Sequence, residues 1–522
     1  MKNKTSTMFT LTTLILIAAA TVSSQTSNVP MDHWVYDYIE RLETQRIFSD
    51  VTARTLPMTR QDIAEFLARA DSARERLSII EQDILDQLMG EFHDALMEKK
   101  ISAQPRYHEK HLLRWREGQH HAYGDIEFAQ RFDANRGDQY SETERTSYTT
   151  LGGIVRGKLG ERFNFYVRAQ NRLERGTDVT EENFDPRQGT PLTISGNNVF
   201  SDEAWAYLKM SNTWFEAEFG RDQLKWGPGS RGSLMLSSEN PPFEMLKLTF
   251  HFKQFQFTSF HGSLHAGNMT KYLAGHRLDI ALTNWLYIGG AEAVVYGNRD
   301  IEPSYLIPIM PYHVAEHHLG DKDNNTMSFD LTLFPAHGHK MYFELFLDDF
   351  TTAENPFTYY GNKFAFLTGY RWVNPFGLSN TDLLIEYTRI EPYVYTHKDS
   401  VNTYLNYDQS IGHWLGPDSD DLYFGFNWLL NRDLRVTLSG ERIRRGQGDI
   451  DTPHTIADDI RKEFLDGTHQ DSWSYGLNIR DQLFRDVFLS FSYHYINTKN
   501  LNREPERSSS DSYASMNLIV NW

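Results

Sequence analysis

His313, Glu316 and His317 stand in the string HVAEH, the H-x-x-E-H spacing in which two imidazoles one helical turn apart can hold zinc while the glutamate serves as base. That chemistry needs a well-formed helix and a third ligand. Pro308 and Pro311 lie just upstream and Gly320 just downstream, which leaves room for about two turns. A chance match within a short loop helix accounts for the string better. Asp321, Asp323 and Asn325 open like a calcium loop, but Thr326 holds the glycine position and Thr332 that of the bidentate glutamate, so this is not an EF-hand. These acids, with Asp418, Asp420 and Asp421, leave two readings: a looser calcium site, or solvated loop charge. The 522 residues include no cysteine, which excludes thiol nucleophiles, zinc–thiolate sites and disulfides. No G-x-S-x-G string occurs, and no phosphate-cradling glycine loop precedes a helix. The expectation is a protein that is not an enzyme and has no cofactor and no resident metal.

A different chemistry is written in KWGPGSRGSLMLSSENPPF, residues 225–243. Glycine opens backbone angles closed to other residues, and proline fixes φ, so Gly227, Pro228 and Gly229 specify one tight shape. That shape would hold Trp226 in place between Lys225 and Arg231. An indole face meets sugar C–H groups, and the cations meet carboxylates. The alternative is that Trp226 belongs to an aromatic belt or packs the loop against a wall.

The elements that must position this loop are mostly strands. Residues 1–24 carry Lys2 and Lys4, then an apolar run from Phe9 to Ala20 and small residues to Ser24, the pattern of a secretory signal peptide. Its removal takes the formal charge from −18 to −20 with the loss of those two lysines, so nucleic acid is not an expected partner. No later run of apolar residues is long enough for a transmembrane helix, yet 14% of residues are aromatic. Residues 25–105 read as a bundle of three short amphipathic helices, with Val35, Tyr38, Ile39 and Leu42, then Ile63, Phe66 and Leu67, then Ile80, Ile84, Leu88 and Phe92 at helical spacing. Thr59 and Asp62 suggest a capping box. Residues 106–121 read as a linker. From 122 to 522 the period is two, in eighteen strands of apolar and polar alternation.

The links between strands sort by length. GER (160–162), SNT (211–213), KQ (253–254) and NRD (431–433) are tight turns, whereas 174–202, 295–325, 392–419 and 444–471 are long. A soluble sandwich has no reason to sort its loops, but an outer-membrane barrel does, with short periplasmic turns, long external loops and an even strand number. The expected fold is mainly β: an 18-stranded antiparallel transmembrane barrel with the helical bundle in the periplasm, at its inner mouth. By strand parity Arg131, Arg156, Lys158, Arg168 and Arg172 face the lumen on one side and Glu344, Asp348, Asp382 and Glu386 on the other. Such opposed charges would set up a transverse field, unless each pairs within its own wall.

The last residues, SYASMNLIVNW, place Ala514, Met516, Leu518, Val520 and Trp522 on one face and end on an aromatic. This resembles the signal by which outer-membrane barrel assembly machinery recognises its substrates. GRDQLKWGPGSRGSLMLSSENPPF in turn resembles the signature of the Wzi-type capsule assembly family, at Gly220, Trp226, Gly227, Pro228, Gly229, Gly232, Leu234, Leu236, Ser237, Asn240 and Pro242. YLIPIMPYHVAEHHLGDKDN (305–324) is a weaker second match. The resemblance implies an outer-membrane barrel lectin that helps attach or assemble capsular or extracellular polysaccharide at the cell surface. Lys225, Trp226, Arg231, Arg156 and Arg168 are the candidate contacts, and membrane lipid is the surrounding. The alternative is a porin-like channel for oligosaccharides. Trp34, Ile39, Leu42, Ile47, Pro57, Thr59, Arg60, Ile63, Ala64 and Leu67 are similar to one S-layer homology motif. Such modules usually act in sets, so a structural plug is expected in place of cell-wall binding.

Overall fold

The computed structural model describes residues 27–48, 55–99, 110–177, 179–180, 184–185, 189–455 and 458–521. The signal peptide read at 1–24 and the terminal Trp522 lie outside these residues. Eighteen antiparallel strands form the wall, numbered β1 to β18 in chain order: His120–Gly137, Glu144–Leu159, Phe163–Gly176, Asn198–Ser211, Phe215–Asp222, Phe243–His251, Phe255–Leu264, Lys271–Ala281, Leu286–Gly297, Asn324–Ala336, His339–Asp349, Lys363–Val373, Thr381–Ile390, Ser419–Leu429, Leu434–Arg445, Gln470–Phe484, Val487–Lys499 and Ser508–Asn521. Pairing of β18 with β1, from Asn521↔Glu127 to Asp511↔Gly137, closes the ring. Two short strands add to it: Leu113–Glu117 folds back on the start of β1, and Thr190–Ser195 lies on β4. The linker reading is therefore corrected from residue 113 onward. Leu113 and Trp115 alternate with Arg114 and Arg116, a period of two that belongs to the sheet.

Period two decides which side chains meet lipid. Along β2, Leu151, Val155 and Leu159 are exposed while Thr150 and Arg156 are buried. At the short-turn rim the exposed residues include a run of aromatics: Trp214, Phe252, Trp285, Phe376, Trp428 and Phe484. Such a girdle marks the boundary between hydrocarbon and water. No helix among the described residues is long and apolar enough to cross a membrane.

Four helices precede the wall: α1 Val35–Thr44, α2 Arg60–Ser72, α3 Ile79–Glu91 and α4 His93–Glu98. Thr59 and Asp62 form the capping box that the sequence suggested, and Ser78 with Glu81 forms a second at the start of α3. Each satisfies otherwise orphaned N–H groups of the first turn. Ile39, Leu42, Ile63, Leu67, Ile84, Leu88 and Phe92 share one core, which Leu429 of the wall joins. The helices pack onto the short-turn rim. The Gly338 N–H donates to the Thr44 carbonyl at 3.0 Å, the Ser78 hydroxyl meets Asn380 at 2.7 Å, and Gln87 meets Gln482 at 2.8 Å. One further helix, α5 Tyr312–Leu319, lies in the long link between β9 and β10.

Candidate functional site

The link between β5 and β6 folds into the barrel. Lys225–Trp226 pairs antiparallel with Thr55–Leu56 from the helical region, and the Trp226 N–H also donates to the Leu236 carbonyl at 2.9 Å. The indole is 0% exposed and meets Phe260 edge to face at 5.2 Å. Leu234, Met235 and Leu236 share its core with lumenal residues of the wall, among them Phe243, Met245, Leu273, Ala293, Phe346 and Leu367. Trp226 thus offers no face to a sugar in this structure. Burying so much apolar surface outweighs leaving the loop in water, and the wall-packing alternative describes its position.

Backbone buried in this way must find acceptors, because each unpaired N–H would forfeit its bond to water. The inward carboxylates provide them. Glu386 accepts the Ser230 N–H at 2.7 Å and the Arg231 N–H at 2.9 Å, and takes the Tyr342 hydroxyl at 2.5 Å. Glu344 accepts the Leu234 and Met235 N–H groups at 3.0 and 3.3 Å. The glycines permit this approach: a Cβ on Gly227, whose φ is +125°, would lie 2.6 Å from the Glu344 carboxylate, and one on Gly229 would lie 2.0 Å from the Gly232 carbonyl oxygen. The Lys225 ammonium donates to the Gly229 carbonyl at 2.6 Å; burial draws its pKa down, against the pull of Glu40 and Glu386. Arg231 pairs with Glu441 and lies 4.4 Å over the Tyr423 ring.

A second link, between β13 and β14, packs on the first. Tyr395 donates to the Leu234 carbonyl at 2.6 Å, Tyr404 to that of Met235 at 2.9 Å, and the Trp414 indole to that of Arg231 at 2.9 Å. Burial pushes the imidazole pKa of His413 in this link down to about 3, helped by Arg231 and Arg445. The Asp348 carboxylate takes the Tyr395 N–H at 2.6 Å. Sequence reasoning missed this second insertion. Its signal was Val394, Tyr395, Tyr404, Ile411, Trp414 and Leu415 in one link, too apolar a set for a segment standing in water.

Arg156 and Arg168 lie apart from the loop, against the helical region. Arg156 pairs with Asp94 at 2.5 Å, and Arg60 meets the same carboxylate at 2.9 Å. Burial would raise the Asp94 pKa, but the two guanidinium groups hold it far below the usual carboxylate range. Arg168 bonds Glu127 at 2.8 Å and reaches Asp32 at 3.5 Å, while Lys158 reaches Glu98 at 3.6 Å. Arg131 pairs with Asp133, and Arg172 donates to Thr150 at 3.2 Å. On the opposite wall Asp382 receives Arg41 of α1 at 2.6 Å. Of the two readings, local partnering describes the lumen: the basic wall takes carboxylates from the helices and its own strands, and the acidic wall takes loop N–H groups and Arg41.

The HVAEH residues lie on α5, with the His313 and His317 rings 4.3 Å apart. Glu316 points away from solvent, and burial, then Asp321, Asp323 and Asp349, raises its pKa to about 8. Asp323 is held by both Arg299 nitrogens, at 2.7 and 2.6 Å, and by the Tyr305 hydroxyl at 2.7 Å. Asp418 accepts the Leu465 N–H at 2.8 Å. Among the described residues, no group of three or more His, Asp or Glu is placed to hold a metal ion.

An even-stranded closed barrel with an aromatic girdle, occupied by helices at one rim and by two inserted links within, defines an outer-membrane β-barrel of the plugged kind. The chain belongs to the capsule assembly protein Wzi family, whose model matches residues 117–512. Its structure is similar to that of Wzi from Escherichia coli, an outer-membrane protein involved in group 1 capsule assembly and a carbohydrate-binding β-barrel. The TM-score is 0.62 at 15% identity, over 95% of this chain and 99% of that one. OccAB4 of Acinetobacter baumannii (TM-score 0.45, 11% identity, 76% of this chain and 98% of that one) and OccK8 (OprE) of Pseudomonas aeruginosa (0.45, 10%, 77% and 98%) also match. No curated protein matches the sequence.

Proposed function

We propose that this protein binds capsular or extracellular polysaccharide at its long-loop face and helps attach or assemble it at the cell surface, as a lectin and without catalysis. The supporting observation is the filled lumen. A member of this family whose barrel is occupied by α1 to α4 at one rim and by residues 225–242 and 391–418 within has only its exposed loop face to offer a long polymer. The short-turn rim and its helices then face the periplasm, and the last strand is the segment read by the barrel assembly machinery.

The test is retention of extracellular polysaccharide by cells lacking the protein, together with direct binding of polymer from the source strain to the purified protein. Unchanged retention and no binding would reject the lectin reading. A large steady conductance in planar bilayers would replace it with the oligosaccharide channel. A protease site inserted beside α2 and cut in intact cells would reverse the orientation.

A further inference from the structure

The shortest strand of the wall is β5, beside β4. The pairing of the two stops at Ala206↔Arg221, and β5 ends one residue later at Asp222, where the chain leaves for the lumen. β4 continues to Asn198, with Thr190–Ser195 on its edge from Asp202 upward. In this step lies a cavity of about 590 Å³, whose lining includes Gln170, Asp202, Glu203, Arg221, Glu244 and Tyr407. Arg221 organises it. Its Nε donates to the Ala204 carbonyl at 3.1 Å on the bare edge of β4, and its other nitrogens reach Glu203 at 3.2 Å and Glu244 at 2.8 Å.

Tyr407 is held there at a cost. Tyr407 and Asp408 have φ of +51° and +58° at the tip of the hairpin Leu405–Asn406/Gln409–Ser410. The left-handed region costs a residue with a Cβ about 1–2 kcal/mol, and such tips favour glycine or asparagine. The ring is fixed by His265, stacked at 4.2 Å and 9°, whose carbonyl also accepts the Tyr407 N–H at 3.2 Å. An aromatic kept in an unfavourable conformation beside a polar cavity points to use of the ring.

We propose that this cavity seats a short stretch of the polysaccharide made of uncharged, hydroxyl-rich sugars, with Tyr407 as its aromatic wall and Gln170, Glu203, Arg221 and Glu244 as hydrogen-bond partners. The proposal rests on the lectin reading above. An aromatic ring meets sugar C–H faces, carboxylates accept from hydroxyl pairs, and a guanidinium donates in a fixed fork. Asp202, Glu203 and Glu244 outnumber the single guanidinium, and the whole chain carries −18, so a uronate would be repelled.

The experiment uses full-length protein in detergent and polysaccharide purified from the source bacterium, before and after carbodiimide–borohydride reduction of its carboxylates. Wild type should bind the reduced polymer at least as tightly as the native one. Tyr407→Gly, in which relief of the left-handed backbone offsets the lost stacking on His265, and Ala204→Trp, which fills the cavity, should each weaken binding at least tenfold while the heat-modifiable barrel persists. Wild-type binding by both variants, or loss of binding on carboxyl reduction, would overturn the assignment and leave the lectin reading standing. Failure of wild type to bind either polymer would instead remove the lectin reading, and this proposal with it.

Discussion

Single side chains do two kinds of work in this barrel. Trp226 fills space: it is wholly buried against Phe260, the inserted loop and the strand from the helical region. Large-to-small changes in such packing remove about 3–5 kcal/mol. Trp226→Ala is therefore expected to lower the temperature at which the barrel loses its heat-modifiable gel mobility, and to reduce the amount reaching the membrane. A variant that assembles at wild-type levels with unchanged thermal stability would contradict the packing role. Glu386 instead satisfies backbone. Glu386→Leu leaves the Ser230 and Arg231 N–H groups without their acceptor, at about 1–3 kcal/mol each. Glu386→Gln keeps one carbonyl oxygen and should lose less. Limited proteolysis between residues 228 and 236 should accelerate in the order wild type, Gln, Leu, and equal rates would show that the clasp does not hold the loop.

At the scale of elements, the helices and the inserted links are held by different forces, which predicts different pH responses. Glu40 of α1 meets Lys340 at 3.0 Å and Arg371 at 2.9 Å. Burial opposes its ionisation, but Arg371 and Lys340 prevail and lower its pKa to about 2 from 4.5. A depressed acid stabilises docking fully above pH 4.5, and that contribution is lost as the pH falls from 4.5 towards 2, at about 1.4 kcal/mol per unit. Protease sensitivity of α1 should rise over that window, and Glu40→Gln should flatten the dependence. His413 behaves as a buried neutral base with its pKa lowered from 6.5 to about 3. Only the unfolded link takes up a proton between those values. Its packing is complete above pH 6.5 and weakens at about 1.4 kcal/mol per unit below it. The protection factors of amides in residues 404–415, taken relative to their intrinsic exchange rates at each pH, should therefore fall below pH 6.5, and protection unchanged down to pH 4 would show that His413 is not buried in solution.

For the whole molecule, two obstructions, joined by the Thr55–Leu56/Lys225–Trp226 pairing, predict how the barrel conducts. The helices meet the wall through ion pairs at its rim, while residues 225–242 and 391–418 share an apolar core with the wall deeper in. Deleting residues 27–99 alone is expected to leave planar-bilayer conductance low, because the inserted links still fill the lumen. Deleting 228–236 in addition should raise it severalfold. A high conductance from the first deletion would show that the helices are the only barrier.

The amino-acid order alone determined what depends on local period and local turn chemistry. Apolar alternation from 122 onward, the tight turns GER, SNT, KQ and NRD, and the Thr59–Asp62 capping box are each contained within a few residues, and the wall and helices follow from them. Parity likewise put Glu344, Asp348, Asp382, Glu386 and Arg156 on the inner face. What those charges do was decided only by tertiary structure, because their partners are remote in sequence. Glu386 meets a backbone 155 residues away, Arg156 meets a carboxylate 62 away, and Arg41 meets one 341 away. The same holds for WGPGSRG. Its glycines announced a tight backbone, but whether the tryptophan beside them faced water or core turned on the apolar wall of β6 to β13. No local pattern near residue 226 encodes that surface.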